Sequence, residues 1–332
     1  MNCGFAALVG RPNVGKSTLL NKLLGEKVAI VSPKPQTTRT RILGVVTREG
    51  GQVALFDTPG LHEATGPLNR YMVEVAMAAA QDCDVVLFLT EAEGQEEDRE
   101  PRLGPGTRKV LQRLEALGKP VICVLTKIDT VRKPLLLPLI DLYRQQFPFL
   151  EVVPVSARHG DGLDLLVEVL LRHLPEQEPI FPLDMLTDQA ERVLVGEYVR
   201  EQILRHCMQE IPYSAAVVVE VFDEAERDAP PPVRKRPRKP PQPSAQPPRA
   251  RANLTGLVKI HANIFVERDS QKAILIGKRG EMLKTIGTDA RANIERLLGA
   301  HVFLSLQVKV EPRWSERPDG VRKLGYVVER TR

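Results

Sequence analysis

Gly10-Arg11-Pro12-Asn13-Val14-Gly15-Lys16-Ser17 is the stretch that decides the fold. It fits G-x-x-x-x-G-K-[ST], a phosphate-binding loop. Residues 5–9 (Phe-Ala-Ala-Leu-Val) form a short apolar run that reads as a buried strand. Residues 17–24, opening with Ser17 and Thr18, read as the start of a helix. A strand that feeds a helix through a glycine loop gathers free backbone N–H groups and the positive helix end at one point. A polyphosphate belongs there, with Lys16 on its β- and γ-phosphates and the Ser17 hydroxyl on Mg²⁺.

Outward from the loop, strands and helices alternate to about residue 175. Apolar strand candidates are 5–9, 53–56, 85–89, 121–125 and 152–155, and helical patterns cover 68–80, 107–117 and 163–174. Such alternation predicts an α/β domain over 1–175, a mixed, mostly parallel sheet with helices on both faces. Ligands of such sheets bind beyond the carboxyl ends of the strands. The chain has 332 residues, 42% hydrophobic and 27% charged, which suits a soluble protein of about two domains. Its four cysteines (Cys3, Cys83, Cys123, Cys207) have no paired spacing, so a reducing cytoplasm is expected, with Cys83 and Cys123 as small buried residues. Neither a signal peptide nor a membrane-spanning run is visible.

Three strand ends carry further chemistry. Thr126-Lys127-Ile128-Asp129 follows the strand at 121–125 and looks like the guanine motif [NT]-K-x-D. One carboxylate accepts both N1–H and N2–H₂ of guanine, so Asp129 reads the base while the Lys127 stem covers its face. Adenine lacks that donor pair and leaves Asp129 unpaired. Thr126 replaces the commoner Asn, and its shorter hydroxyl puts the tether to the phosphate loop in question. Ser156-Ala157, after 152–155, resembles the short motif whose Ala N–H meets guanine O6. Asp57-Thr58-Pro59-Gly60 looks like D-x-x-G, in which the carboxylate holds Mg²⁺ through water and the Gly60 N–H senses the γ-phosphate. Gln36-Thr37-Thr38-Arg39 resembles the first switch segment, with Thr38 as the Mg²⁺ contact and Thr37 as the alternative. Leu61 stands where many GTPases place a water-orienting glutamine. Either hydrolysis is slow or another group positions the water. His62, an exposed switch histidine, is read as incidental.

A linker is expected at 176–190 and a second unit at 191–315, with 316–332 as a C-terminal tail. In the second unit, helix, strand, strand, helix, Gly277-Lys278-Arg279-Gly280, helix and strand follow in the order of a type II KH domain, an α+β fold. The glycine loop of that fold clamps the backbone of single-stranded nucleotides. Lys272, Lys278, Arg279 and Lys284 supply charge. Ile274, Ile276 and Ile286 either line the base-facing groove or belong to the core, with Ile274 assigned to the core. Residues 226–253 read as a disordered insertion, since 229–252 alone hold nine prolines, seven Arg or Lys and no acid. Two readings stand: a tolerated loop insertion, or a basic arm for nucleic acid.

A GTPase domain joined to a type II KH domain resembles the bacterial Era family. The resemblance covers nearly the whole chain and rests on 10–21, 36–39, 57–60, 211–214 and 267–280. It implies GTP and GDP as ligands, slow hydrolysis, and binding of the 3′ end of 16S rRNA in assembly of the small ribosomal subunit. It further implies RNA contacts by Lys272, Ile276, Gly277, Lys278, Arg279, Gly280 and Lys284, and peripheral contact with the inner membrane. A monomer is expected. In that family an asparagine at the position of Asn13 is linked to a monovalent cation, so K⁺ joins Mg²⁺ as an expected cofactor, with Asn13, Lys16, Thr38 and Gly60 as the catalytic set. Asn13 as a plain loop residue is the alternative. A passive RNA-binding module with an inert nucleotide domain is the competing function, resting on Leu61 and Thr126. A tandem-domain or transfer-RNA-modifying GTPase is disfavoured, because no second phosphate loop and no catalytic C-terminal cysteine appear.

Overall fold

The computed structural model describes residues 1–92, 103–208, 211–228 and 254–328. The chain forms two compact units, one made of Met1–Gln189 together with the chain from Trp314 on, the other of Ala190–Arg313.

In the first unit β1 (Asn2–Gly10), β2 (Ile42–Arg48), β3 (Gly51–Asp57), β4 (Val85–Glu91), β5 (Val121–Thr126) and β6 (Val152–Pro154) form one sheet in the order β2-β3-β1-β4-β5-β6. Only β2 runs antiparallel to its neighbour. Successive residues of a strand point to opposite faces, and here both faces are apolar. Ala6 and Leu8 join one core with Leu87, Leu89, Ile122 and Val124, while Ala7 and Val9 join the other with Val86, Phe88, Cys123 and Leu125. On the first face lie α1 (Lys16–Leu24) and α5 (Leu163–Arg172), and on the second α2 (Pro67–Asp82), α3 (Pro105–Leu117) and α4 (Leu136–Gln146). All four cysteines are buried and free. Burial pushes the Cys83 thiol up to about 12 and raises Cys123 well above the ordinary range.

Three features depart from the sequence expectation. Strand β2 was not among the candidates. It lies at the sheet edge and packs so closely on α1 that a Cβ on Gly44 would come within 2.6 Å of the Leu20 side chain. The expected linker is laced to the sheet. Gln177 donates to the Met1 and Cys3 carbonyls, Gln52 and Phe181 bond reciprocally, Val45 N–H donates to Leu186, and Thr187 donates to Leu43. The boundary at 315/316 moves as well. Trp314 is fully buried in the first unit, and the segment after it, with α10 (Pro318–Lys323), packs on α2. Buried aromatic surface rather than a tail holds that segment.

The second unit contains α6 (Glu191–His206), α7 (Ile211–Ser214), β7 (Ala216–Glu226), β8 (Leu257–Val266), α8 (Asp269–Ile276), α9 (Glu281–Leu298) and β9 (His301–Val310). Its sheet order is β7-β8-β9, antiparallel then parallel. Val258, Ile260, Ala262, Ile264 and Val266 alternate along β8 and are all buried. The proline-rich basic stretch lies, from residue 229 to 253, outside the described residues.

Candidate functional site

Gly15, at φ 97°, turns the chain into α1, and no side chain caps that helix. Its first N–H groups are therefore open to an anion. Asn13 also adopts positive φ, at 66°, an uncommon conformation for a residue with a Cβ. The loop borders a cavity of about 410 Å³ lined by Asn13, Gly15, Lys16, Ser17, Thr18, Thr38, Gly60 and Lys127 among others.

Lys16 is only 6% exposed and reaches the Gly10 and Arg11 carbonyls at 3.4 and 3.1 Å. Burial lowers its pKa to about 8, with Asp57 pulling the other way. Burial raises that of Asp57, against the pull of Lys16, Ser17, Thr38 and Thr58. Ser17 Oγ donates to Asp57 Oδ2 at 2.6 Å, and Thr38 Oγ1 lies 2.9 Å from Ser17 Oγ and 3.3 Å from Asp57 Oδ2. Asp57 Oδ1 is buried without a hydrogen-bond partner. Two hydroxyls and a carboxylate with an orphaned oxygen form an all-oxygen set of the kind Mg²⁺ takes beside phosphate and water. Thr38, not Thr37, makes these contacts; the Thr37 hydroxyl donates to the Lys34 carbonyl at 2.7 Å.

Other motif residues serve the scaffold. Thr58 donates to the Leu8 carbonyl at 2.6 Å, and Val14 is buried in the core. Pro59 is buried as well. The Arg11 side chain lies against Gly106 at the start of α3. Gly60 touches Pro12: a Cβ there would come within 2.7 Å of the proline backbone. Leu61 is 2% exposed and its N–H donates to the Gly10 carbonyl, so the second switch is pinned to the phosphate loop by backbone. Asn13 Nδ2 donates to the Pro33 carbonyl at 2.8 Å, tying the loop to the chain three residues ahead of the first switch segment. Asn69 on α2, missed from the sequence, joins both switches. Its Oδ1 accepts from Gln36 Nε2 at 3.1 Å and lies 3.1 Å from His62 Nε2.

The Thr126 hydroxyl does reach the phosphate loop, at 2.7 Å from the Val14 carbonyl. Lys127, held at φ 58°, pairs with Glu91. Buried Ser156 donates to Asp129 Oδ1 at 2.6 Å, which holds that carboxyl below the usual range. Ala157 packs beside it against the core.

In the second unit Gly277 and Gly280 adopt φ 72° and 82°, and Arg279 between them φ 54°. A Cβ on Gly277 would approach the Met282 N–H to 2.9 Å, whereas Gly280 faces open space. Lys278, Arg279 and Lys284 are exposed, Lys272 and Ile276 half-buried. No side chain caps α9, so its N–H groups open beside the loop. The expectation for Ile274 is corrected: it is 51% exposed, while Ile286 is fully buried. Helix α8 turns Gln271 and Leu275 inward, which places Ile274 outward.

Residues 5–127 match a family described as 50S ribosome-binding GTPase, and 248–315 match the KH domain. The chain is 46% identical to GTPase Era of Geotalea uraniireducens over 97% of each chain. It belongs to the Era GTPase family. GTPase Era of Ruminiclostridium cellulolyticum is 41% identical, again over 97% of both chains. A crystal structure of Era in complex with MgGDPNP and nucleotides 1506–1542 of 16S ribosomal RNA superposes with TM-score 0.84 at 40% identity, covering 98% of this chain and 99% of that one. A tyrosine-to-alanine variant of Aquifex aeolicus Era, bound to GDP·AlF₄⁻, superposes with TM-score 0.83, at the same identity and coverage. This Era family member has, among its described residues, no helix long and apolar enough to cross a membrane.

Proposed function

We propose that this Era GTPase hydrolyses GTP in the cavity at 10–17, and that its nucleotide state governs how its KH unit binds the 3′ end of 16S rRNA during small-subunit assembly. The observation that carries the reading is the pair of glycine loops, both in place, in a chain that matches end to end a relative solved with MgGDPNP and that RNA. Mg²⁺ neutralises the phosphate charge that grows on transfer. Ser17 and Thr38 would hold it directly and Asp57 through water. Lys16 binds the β- and γ-phosphates, Gly60 N–H senses the γ-phosphate, and Asp129 with Ala157 N–H reads guanine. Lys272, Ile276, Lys278, Arg279 and Lys284 meet the RNA around Gly277 and Gly280.

Buried Leu61 cannot orient the attacking water. Asn13, already bonded to the Pro33 carbonyl just ahead of the first switch segment, supports a K⁺ site that offsets the missing group. Turnover should therefore be faster in potassium than in sodium buffer, and equal rates would refute this part. The same leucine favours the second reading, a passive RNA module. Turnover measured with added RNA separates the two, since an inert domain stays inert. A cytoplasmic monomer with peripheral contact at the inner membrane completes the reading, carried by the family resemblance.

A further inference from the structure

Thr38 faces the Ser17 and Asp57 oxygens, and the next residue, Arg39, faces away into an aromatic clamp. Its guanidinium carbon lies 5.7 Å from the Trp314 ring centroid and 5.8 Å from that of Tyr326, and Nη1 donates to the Tyr326 hydroxyl at 3.1 Å. The two rings stack on each other at 5.6 Å, and Tyr71 of α2 meets Tyr326 edge-on at 5.7 Å. Arg39 is 1% exposed and Trp314 fully buried. Helix α10 packs tightly here: a Cβ on Gly320 would come within 2.5 Å of the Trp314 carbonyl. Among the described residues, the non-glycine positions with positive φ are Asn13, Gln36, Lys127 and Arg279, all in the site loops, and Arg313, immediately before Trp314. Such conformations persist where the surroundings enforce them, and they cluster at switches and clamps.

We propose that Arg39 is a positioning residue that couples Thr38 to the C-terminal segment, so that Trp314 and Tyr326 move with the nucleotide state. One peptide bond joins the threonine to a cation that is buried among rings. When the Thr38 hydroxyl exchanges Ser17 and Asp57 for a metal-bound nucleotide, Arg39 has no aqueous alternative to follow into, and the rings stacked on it shift. By linkage the clamp in turn biases where Thr38 rests. The inference rests on the reading of Thr38 as the Mg²⁺ contact.

Trp314 is the one tryptophan in the chain, so its emission reports the clamp directly. The full-length protein is compared in Mg·GDP, in Mg·GDPNP and in GDPNP with EDTA. The expected result is an emission shift between GDP and GDPNP that needs Mg²⁺. Arg39→Met and Arg39→Lys should lose that shift while binding fluorescent GDP with unchanged affinity, because neither side chain stacks as a planar cation. Tyr326→Phe, which keeps the ring and guards against a misfolded arginine variant, should reduce the shift. A merely structural Arg39 would move the emission of both states equally and leave their difference intact. Thr38→Ala separates the two readings through the release rate of fluorescent GDPNP in Mg²⁺. If Thr38→Ala speeds release but wild-type emission is the same in both states, the coupling is refuted and the Thr38 reading survives. If Thr38→Ala leaves release unchanged, the Thr38 reading fails and the coupling with it.

Discussion

The two glycine loops solve different problems with similar residues. At 10–17 the cation is buried: Lys16 is 6% exposed, and a Cβ on Gly10 would come within 2.3 Å of the Leu89 carbonyl. At 277–280 the cations Lys278 and Arg279 are solvated and Gly280 faces open space. A buried ammonium has lost water and gains strongly from a phosphate in return. A solvated one gains mainly by releasing counterions from a long polyanion. The first loop is therefore built for a compact ligand at fixed geometry, and the second for a backbone that passes by.

That difference orders the expected effects. Lys16→Ala should weaken GTP binding by about 10²–10⁴-fold, from charge-assisted bonds to two phosphates, as read by titration calorimetry. Asp129→Asn should cost about 100-fold in GTP affinity and favour xanthine nucleotide, since N1–H and N2–H₂ lose their shared acceptor. Retained guanine preference would break the base assignment. Gly280→Asp places a Cβ and a negative charge at φ 82°. Left-handed backbone costs a residue with a Cβ about 1–2 kcal/mol, so RNA binding should fall about tenfold or more while GTP binding is spared. Lys278→Ala is the smallest change. It should lower the slope of log affinity against log salt for RNA by about 0.7, one single-strand phosphate contact, and leave the nucleotide titration unmoved.

The sequence made the loops legible because each is a local pattern whose chemistry follows from a few adjacent residues. Gly15, Lys127 and Asp129 needed no knowledge of distant chain. It also made most of the sheet legible, since strands buried on both faces are continuous apolar runs. Strand β2 escaped because Gly44, required by its close approach to Leu20, interrupts the run and two arginines precede it. The C-terminal segment escaped for a different reason. Nothing in the residues around Trp314 and Tyr326 says that they meet Arg39 and Tyr71, far back in sequence. Ile274 was misassigned because an apolar residue on a short helix has the same letter whether it faces core or groove. The anchoring of 177–187 on β1, β2 and β3 was likewise invisible, because the Gln177 and Thr187 side chains and the backbone of Phe181 and Leu186 find partners far back in sequence.

The central claim is that the first loop controls the second. Filter binding of a short 16S rRNA 3′-terminal oligonucleotide to the full-length chain, at fixed salt with saturating GDPNP or GDP, tests it most directly. The account predicts tighter binding with GDPNP, by a coupling of about 5–150-fold. Equal affinity in the two nucleotide states would contradict it.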